Sequence, residues 1–311
     1  MQSRVVVFGS LNLDLIIHVA HLPAAGETVG GGNFLIAPGG KGGNQALAAV
    51  RAGAETALIG AVGEDAFAAQ ALKALCEAGT DLSQLHRLSA PTGTAVIMVG
   101  AGGENIIATA PGANHALTPA VLGPLAFHPG EVVLSQLEMA IATTDAVLRS
   151  AKEQGARVVL NLAPFDPEAL PLLAHCDLLI VNEVEGRALA GAGGIAAAEP
   201  QALCAGLSDR HGLDLVVTLG DKGLAARIGS EDHRLPAPAI TPVDTVGAGD
   251  TFCGYLAAGL AEKGYLTPDR LAMAAAAAAL SCTYEGAQPA IPTGERVRAF
   301  MKKPPHEKAP S

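Results

Sequence analysis

Short apolar runs alternate along this chain with longer runs that have a helical pattern, and this alternation strongly restricts the possible folds. We predict strands at Val5–Phe8, Ala57–Val62, Val132–Ser135, Val158–Asn161, Leu178–Asn182 and Leu215–Leu219. We predict helices at Asn44–Ala52, Ala66–Ala78, Thr143–Gln154, Pro200–His211, Thr251–Lys263 and Pro268–Cys282. Apolar strands separated by helices of roughly 10 to 15 residues are typical of βαβ units. The sequence therefore predicts an α/β fold built around a parallel sheet.

Two segments depart from this pattern, because they read as β-ribbon, with the two-residue period of strands. They are Asp14–Phe34, which has turn signals at Pro23 and Gly26, and Thr92–Ala110. These segments form either edge strands of the main sheet or a small separate β-sheet that acts as a lid. We predict one domain over residues 1–302 and a disordered tail over 303–311, which is rich in proline and lysine.

The cysteines indicate a reducing compartment, because the five thiols are scattered and include no Cys-x-x-Cys pair. They stand at positions 76, 176, 204, 253 and 282. No apolar run approaches the roughly 20 residues that a membrane helix needs. Residues 1–8 have the pattern of a first strand and lack the features of a signal peptide. We therefore expect a cytoplasmic protein without a membrane segment.

The charge balance argues against a nucleic-acid partner, because the formal net charge is −10 and nucleic acids bind basic surfaces. Aromatic residues make up only 3% of the chain, which also disfavours a surface for base stacking. Nine scattered histidines show no zinc-binding spacing. ATP is compatible with this composition, since backbone N–H groups and one lysine can hold phosphates. We therefore expect no nucleic-acid partner and keep a nucleotide-binding enzyme open.

A glycine-rich stretch near the end of the chain combines a candidate phosphate-binding turn with an acidic residue. It reads Asp-Thr-Val-Gly-Ala-Gly-Asp-Thr-Phe from 244 to 252, and a predicted helix starts within it. Gly247 and Gly249 would let unpaired N–H groups at the helix start approach a phosphate oxygen. The carboxylate of Asp250 would then accept the proton of a hydroxyl group that attacks a phosphoryl group. The alternative is an ordinary turn in which Asp250 caps the helix.

A second glycine-rich turn precedes the first predicted helix and reads Pro-Gly-Gly-Lys-Gly-Gly-Asn-Gln-Ala from 38 to 46. It is not a Walker A loop, because Gly42 stands where Ser or Thr follows the lysine in that motif. Gly39 and Gly40 would let a small polyhydroxy ligand lie against the backbone. Lys41 and Asn44 would donate hydrogen bonds to its hydroxyl groups. The alternatives are a solvated charge for Lys41 and a helix cap for Asn44.

These two turns, in this order, resemble the two signatures of the ribokinase-like (PfkB) carbohydrate kinases, and the resemblance extends from about Val5 to Pro292. It implies a three-layer α/β/α fold with a central, mostly parallel sheet and a small β-sheet lid. It also implies ATP-dependent phosphorylation of a sugar. The expected acceptor is the 5-hydroxyl group of D-ribose, and the alternative is another sugar or a nucleoside. Pairing of two lids implies a homodimer.

The resemblance also implies a role for each site residue. Asp250 would be the general base, and Gly247, Ala248 and Gly249 would form the anion hole with it. The substrate-binding residues would be Asn12, Asp14, Gly40, Lys41, Asn44, Glu138 and Asp250. The ATP-binding residues would be Asn182, Glu185, Thr218, Gly220, Gly223 and Gly249, with Mg²⁺ on the phosphates. A monovalent cation, K⁺, would lie against Asp244, Val246, Ser281, Tyr284 and Gly286.

Two other classes of protein fit the sequence less well. A non-catalytic sugar-binding relative would lack Asp250 or the glycines before it, and both are present. A nicotinamide-dependent oxidoreductase would need a dinucleotide fingerprint after a strand. The stretch 191–196 fits Gly-x-Gly-x-x-Ala but follows a helical pattern, so we expect no dinucleotide site there. The chain departs from the family's usual residues at Ala290, near the cation site, and at Ala275, near adenine.

Overall fold

The computed structural model describes residues 4–195 and 199–302; the predicted tail and Ala196, the last residue of the stretch 191–196, lie outside the described residues. The strands are β1 (Val5–Phe8), β2 (Asn12–His18), β3 (Phe34–Gly39), β4 (Thr56–Gly63), β5 (Leu85–Leu88), β6 (Gly93–Val99), β7 (Asn105–Ala110), β8 (Val132–Ser135), β9 (Arg157–Asn161), β10 (Leu178–Asn182), β11 (Asp214–Thr218), β12 (Leu224–Ile228) and β13 (Glu231–Leu235). The helices are α1 (Lys41–Ala52), α2 (Ala66–Glu77), α3 (Ala113–Ala116), α4 (Pro119–Leu122), α5 (Ile141–Glu153), α6 (Glu183–Ala192), α7 (Pro200–His211), α8 (Ala248–Lys263), α9 (Pro268–Ser281) and α10 (Gly294–Lys302). Two 3₁₀ helices cover Pro167–His175 and Gly220–Lys222. None of the described helices is both long enough and apolar enough to cross a membrane.

The central sheet of the described chain has nine strands in the order β13-β12-β11-β10-β9-β8-β1-β4-β5. Neighbouring strands from β11 to β5 are parallel, whereas β12 and β13 are antiparallel to their neighbours. The six strands predicted from the apolar runs all lie in this sheet, each within one residue of its predicted ends. The prediction of a central, mostly parallel sheet is therefore confirmed.

Both faces of the central sheet are buried, and for that reason its inner strands are nearly continuous apolar runs. Successive side chains of β1 point to opposite faces: Val5 and Val7 belong to one hydrophobic cluster, while Val6 and Phe8 belong to the other. Helices α1, α2, α8, α9 and α10 cover the first face. Helices α5, α6 and α7 and the longer 3₁₀ helix cover the second. This arrangement confirms the three-layer α/β/α fold.

Helices α1 and α8 begin at Lys41 and Ala248, three residues before the starts predicted at 44 and 251. The residues directly before them, Gly40 and Gly247, have φ angles of 85° and 75°. Because glycine adopts positive φ at little cost, each of these residues completes its turn alone. The small residues that come next, Gly42 and Gly43 in one motif and Ala248 and Gly249 in the other, therefore already belong to the first helical turn.

Helices α1 and α8 pack closely against each other, which joins the two glycine-rich motifs in space. Gly254 of α8 lies at the contact: a Cβ there would stand 2.4 Å from the carbonyl oxygen of Gln45 and 2.5 Å from Cβ of Ala48. Only glycine leaves room for this approach. The two helices that start at the glycine-rich motifs are thus neighbours in the fold.

Four further strands form a separate sheet, the small sheet, in the order β3-β2-β6-β7. Strands β2 and β6 are parallel, while β3 and β7 are antiparallel to their neighbours. The predicted segment Thr92–Ala110 contains β6 and β7, whereas Asp14–Phe34 has wrong bounds: β2 starts earlier, β3 extends beyond it, and 19–33 contain no strand. The turn residues of 19–33 form one long connection. A separate sheet, not an edge of the main sheet, is the correct alternative.

Candidate active site

Polar residues stand at or just after the carboxyl ends of five neighbouring strands, all on one edge of the central sheet. They are Ser10 after β1, Gln136 after β8, Asn161 in β9, Asn182 in β10 and Thr218 in β11. Ligands of open α/β sheets bind outside the carboxyl ends of the strands. An open cleft of about 470 Å³ lies at this edge, and residues from both glycine-rich motifs line it. We take this cleft as the candidate active site.

Asp250 lies in the wall of the cleft, in the first turn of α8. The residue is only 7% exposed. Its Oδ2 accepts a hydrogen bond from Nδ2 of Asn44 at 2.9 Å, and its Oδ1 accepts one from Nε2 of Gln45 at 2.9 Å. The position at a helix start favours a negative charge. The carboxylate is therefore held in one orientation, with a donor on each oxygen.

A chain of buried amides continues behind Asp250, and sequence reasoning missed it. Nε2 of Gln45 also donates to Oδ1 of Asn161 at 3.1 Å, and Oε1 of Gln45 accepts from Nε2 of Gln136 at 2.7 Å. Gln45 and Gln136 are fully buried. The only signal in the sequence is that Gln45 follows Asn44 within the second glycine-rich motif. Nothing in the sequence links Gln136 to that motif.

Lys41, the first residue of α1, brings a positive charge to the cleft. The pKa of its ammonium group is raised, mainly by the negative charge of Asp250 and to a lesser degree by Glu138 and Glu185, while burial acts in the opposite direction. The ammonium group therefore stays protonated at neutral pH. The geometry places one cation among three carboxylates, at a position where an anionic ligand can also reach it.

Glu138 ties three parts of the site together. Its Oε2 accepts a hydrogen bond of 2.5 Å from Oγ of Ser10 and one of 3.0 Å from the backbone N–H of Lys41. The N–H of Gly42 donates in turn to Oγ of Ser10 at 3.3 Å. The ends of β1 and β8 and the start of α1 are thus held against each other. Glu138 lies beside Ser10 and Lys41, and its contact with a substrate stays a prediction.

Asp14 lies on β2 in the small sheet, outside the lining of the cleft and close enough to Glu138 to sense its charge. Burial raises the pKa of Asp14 to about 6, and the negative charge of Glu138 contributes in the same direction. Gly39 on the adjacent strand makes room for this carboxylate, because a Cβ there would lie 2.3 Å from its Oδ2. Asp14 therefore changes its charge near neutral pH.

Two asparagines complete the predicted substrate set. Asn12 stands two residues before Asp14 on β2, and its Oδ1 accepts a hydrogen bond from Nδ2 of Asn114 at 2.8 Å. Asn44 directs Nδ2 at Asp250, and its Oδ1 is buried with no hydrogen-bond partner in the described part of the chain. A buried acceptor without a partner is costly unless a ligand or water satisfies it. The orphaned oxygen of Asn44 fits a sugar hydroxyl group.

The start of α8 has the arrangement expected of an anion hole. The N–H of Thr251 makes the first helical bond, to the carbonyl of Gly247 at 2.8 Å, so the N–H groups of residues 248–250 precede it. The N–H of Ala248 makes a long contact of 3.3 Å with the carbonyl of Thr245. A Cβ on Gly249 would meet open space, so a ligand can approach this backbone closely.

The predicted ATP-binding residues divide into two groups. Asn182 and Glu185 line the cleft and form a capping box at the start of α6, with both hydrogen bonds at 2.8 Å. Burial raises the pKa of Glu185, opposed by the N–H of Asn182 and by Lys41. Thr218 also lines the cleft. Gly220 and Gly223 belong to the turn after β11 and do not line it.

The predicted cation residues lie in two loops that Asp244 joins. Its Oδ1 accepts from the backbone N–H of Val246 at 3.0 Å, and its Oδ2 accepts from that of Gly286 at 2.8 Å. The N–H of Tyr284 donates to the carbonyl of Ser281 at 3.2 Å. The structure thus links Asp244 directly to Val246 and Gly286, and it places Ser281 and Tyr284 in one turn.

Comparison with known proteins adds an independent finding. The family model for pfkB family carbohydrate kinase matches residues 2–294. Ribokinase from Haemophilus influenzae is 34% identical over 309 residues, which cover 97% of this chain and 99% of that protein. Ribokinase from Bacillus subtilis is 35% identical over 303 residues, which cover 96% of this chain and 100% of that protein. The structure of Arabidopsis thaliana ribokinase complexed with ribose and ATP has a TM-score of 0.85 and 31% identity, covering 98% of this chain and 100% of that one.

Proposed function

Because the chain belongs to the pfkB family of carbohydrate kinases, we propose that it transfers the γ-phosphoryl group of ATP to the 5-hydroxyl group of D-ribose. The products are D-ribose 5-phosphate and ADP. One observation carries the proposal: Asp250 is a buried carboxylate, held by two amides at a helix start and open to the cleft. Such a group accepts the hydroxyl proton while the helix start binds the transferred phosphoryl group.

Phosphoryl transfer requires N–H groups and positive charge around the transferred group. The first turn of α8 supplies the N–H groups of Ala248, Gly249 and Asp250, after the turn made by Gly247. The ammonium group of Lys41 supplies the charge. These groups stabilise the charge that develops on the phosphoryl oxygens, while Asp250 accepts the proton of the attacking hydroxyl.

We assign the sugar to the space between the small sheet and α1. Asp14 accepts hydrogen bonds from two hydroxyl groups when it is ionised. The orphaned Oδ1 of Asn44 accepts another, and Asn12 and Lys41 supply amide and ammonium donors. Gly40 leaves the sugar room against the backbone, and Glu138 fixes the start of α1 beside it.

We assign ATP to the part of the cleft lined by Asn182, Glu185 and Thr218, with the turn of Gly220 and Gly223 as a predicted contact for the phosphates and ribose of ATP. Mg²⁺ neutralises the β- and γ-phosphates when it is bound. The carboxylate of Glu185 is a hard oxygen donor that can hold this ion through water. In the described parts of the chain, no group of three or more His, Cys, Asp or Glu side chains could hold a metal. This agrees with an ion held mainly by the nucleotide.

We propose a K⁺ site at the two loops that Asp244 joins. Carbonyl oxygens and a carboxylate are the donor set that suits a hard monovalent cation. The hydrogen bonds from Val246 and Gly286 to Asp244 support the proposal, because they hold the two loops together. The remaining contacts would come from the backbone of Ser281 and Tyr284.

We propose that the small sheet is a lid over the sugar and also the contact between two copies in a homodimer. Its strands carry large apolar side chains that are roughly half exposed: Phe34, Leu35, Ile36, Ile106 and Ile107. A monomer rarely exposes so many apolar groups together, and bare strand edges tend to pair with another chain. Two small sheets that cover each other would bury both features.

We propose that the protein works in the cytoplasm and binds no nucleic acid. All five cysteines are free thiols, which agrees with a reducing compartment. The proposed substrate ATP also agrees with a cytoplasmic location. The net charge of −10 agrees with a protein that binds no nucleic acid. Cell fractionation with an antibody against the native protein tests the location.

A coupled ADP-release assay tests the proposed activity. The substrates are D-ribose, 2-deoxyribose, fructose and a panel of nucleosides, each with ATP and Mg²⁺. We expect the highest kcat/KM for ribose, and phosphorus NMR should show a phosphate on its 5-position. A higher kcat/KM for another sugar or a nucleoside would overturn the assignment of ribose but keep the class of kinase.

A further inference from the structure

We propose that Gln45 is a positioning residue for phosphoryl transfer, which holds the carboxylate of Asp250 in one orientation through a one-way chain of amides. The inference rests on the proposed function, because it assumes that Asp250 is the general base. Neither Gln45 nor Asn44 lines the cleft, but Asn44 keeps an oxygen without a partner in the described chain, whereas the amide nitrogen and oxygen of Gln45 both have partners. Gln45 therefore acts through Asp250.

The direction of each amide follows from the chemistry of the carboxylate. A carboxylate accepts hydrogen bonds and donates none, so Nε2 of Gln45 must face Asp250. Oε1 of Gln45 then accepts from Nε2 of Gln136 at 2.7 Å. Asn161 closes the chain, since its Oδ1 accepts from Gln45 at 3.1 Å and its Nδ2 donates to the carbonyl of Ile180 at 3.2 Å. The chain therefore directs a fixed N–H donor at Oδ1 of Asp250 and sets the orientation of the carboxylate.

The amide chain is costly to the fold, which supports a role in the site. Gln45 and Gln136 are fully buried. Oε1 of Gln136 has no hydrogen-bond partner among the described residues, and it is packed so tightly that a Cβ on Gly9 would lie 2.1 Å away. Burying these amides costs free energy, and their hydrogen bonds to one another and to Asp250 are what offset that cost.

Three other titratable groups act on Asp250. They are Lys41 from α1, Glu185 from α6 and Cys253 from α8 itself. The ammonium group of Lys41 attracts the carboxylate of Asp250, and the carboxylate of Glu185 repels it. Burial raises the pKa of the Cys253 thiol well above its usual range, so this group stays neutral. A ligand in the cleft would change the electrostatic environment of Lys41 and Glu185, whereas the buried amide of Gln45 keeps its direction toward Asp250.

The first test is Gln45→Met, which keeps the length of the side chain and removes the donor. The matched control is Gln288→Met, because Gln288 is also a buried amide, and neither of its amide atoms has a partner in the described chain. For Gln45→Met we expect kcat to fall at least tenfold and KM for ribose to stay within about threefold. The loss of kcat is expected because Asp250 loses the donor on its Oδ1 and with it a fixed orientation.

The second test is Gln45→Glu, which keeps the shape and the bond from Gln136 but replaces the donor by a carboxyl group. When this carboxyl group is protonated it can donate to Asp250, and when it is ionised it repels Asp250. At low pH both carboxyl groups are protonated and Asp250 cannot accept a proton, so we expect activity where the pair holds one proton. At higher pH repulsion between the two carboxylates moves Asp250 out of its orientation, which adds an alkaline limb to the pH–rate profile that Gln288→Met lacks. A role in packing alone predicts no such limb.

The outcomes separate this inference from the proposed function. A natural protein without sugar kinase activity, or an Asp250→Asn variant that stays active, would overturn the proposed function or the base on which the inference rests. If both hold, the inference still fails when Gln45→Met has the kcat of Gln288→Met, or when Gln45→Glu lacks the added alkaline limb. Nucleotide affinity and thermal unfolding of each variant show that the fold is retained.

Discussion

At the scale of single residues, we expect Asp14 to make sugar binding depend on pH. Burial, with help from Glu138, raises its pKa to about 6. Above that pH the ionised carboxylate accepts hydrogen bonds from two hydroxyl groups, and below it the protonated group loses part of this capacity. We expect the affinity for ribose to weaken as pH falls from 7 to 5.

Calorimetry at several pH values measures this effect, with an ATP analogue as the reference ligand. Asp14→Asn should weaken ribose binding at pH 7 by about 1–3 kcal/mol and remove most of the pH dependence. An equal loss for the nucleotide analogue, or a ribose affinity that ignores both pH and the substitution, would contradict a sugar-facing Asp14.

Asp250→Asn should remove most of the turnover and leave ribose binding almost intact. A positioned general base contributes about 10²–10⁴-fold to rate, and Asn has nearly the same size as Asp. Steady-state kinetics with ribose, combined with a ribose titration of the variant, measures both properties. A variant that keeps more than about a tenth of kcat would show that Asp250 is not the base.

The sequence predicts some residues of the site because they lie within local motifs. Asp250 and Lys41 each follow glycines, and a glycine-rich turn of this kind can be recognised from the sequence alone. Gln136 and Asn161 could not be found in this way, since their partner Gln45 is 91 and 116 residues distant. A buried glutamine has no local pattern, and only the fold shows what it contacts.

At the scale of elements, the close packing of α1 on α8 sets the distance from Gln45 to Asp250. Gly254→Ala would place a Cβ 2.4 Å from the carbonyl of Gln45, so the helices must separate. We expect a loss of about 1–3 kcal/mol in the free energy of unfolding, which is typical of overpacking. The kcat should fall as well, because the two amides move away from the carboxylate.

The matched control is Gly191→Ala in α6, where a Cβ meets nothing within 4 Å. In a helix interior this change is neutral or slightly stabilising, because alanine is the better helix former. Urea unfolding and steady-state kinetics of both variants provide the measurements. Equal stability and equal kcat in the two variants would mean that the α1–α8 distance does not matter.

Elements were predictable where a buried face imposes a clear period. The apolar strands and long helices follow that rule. Strands β12 and β13 were missed, because β13 reads Glu-Asp-His-Arg-Leu and carries no apolar period. The bounds of β2 and β3 were wrong for a related reason. The turn-rich connection between them contains strand-like residues, and only hydrogen bonding to a neighbouring strand decides which residues belong to a strand.

At the scale of the whole molecule, the small sheet should hold two copies together. Ile107→Lys places a charge on β7, where the natural side chain is 55% exposed. We expect light scattering to show a dimer for the natural protein and a shift toward monomer for this variant. Val121→Lys on α4 is the control, because Val121 is an apolar residue, 45% exposed, outside the small sheet. A natural protein that stays monomeric across the dilution series would contradict the proposal.

The small sheet should also close over the sugar and exclude water from the transferred phosphoryl group. Hydrogen exchange of the amides in β2, β3, β6 and β7 measures this closure directly. We expect exchange to slow when ribose is added, with little change in the outer strands β12 and β13. Exchange that ignores ribose throughout the small sheet would contradict a lid.

The adjacency of α1 and α8 has a consequence for biosynthesis. The two amides that hold the catalytic carboxylate are translated about 205 residues before it. A nascent chain that has emerged only as far as β11 already contains the early glycine-rich motif, but its partner helix does not yet exist. The contact between Asp250 and the amides of α1 can therefore form only after α8 has been synthesised, and until then these amides are open to water or to chaperones.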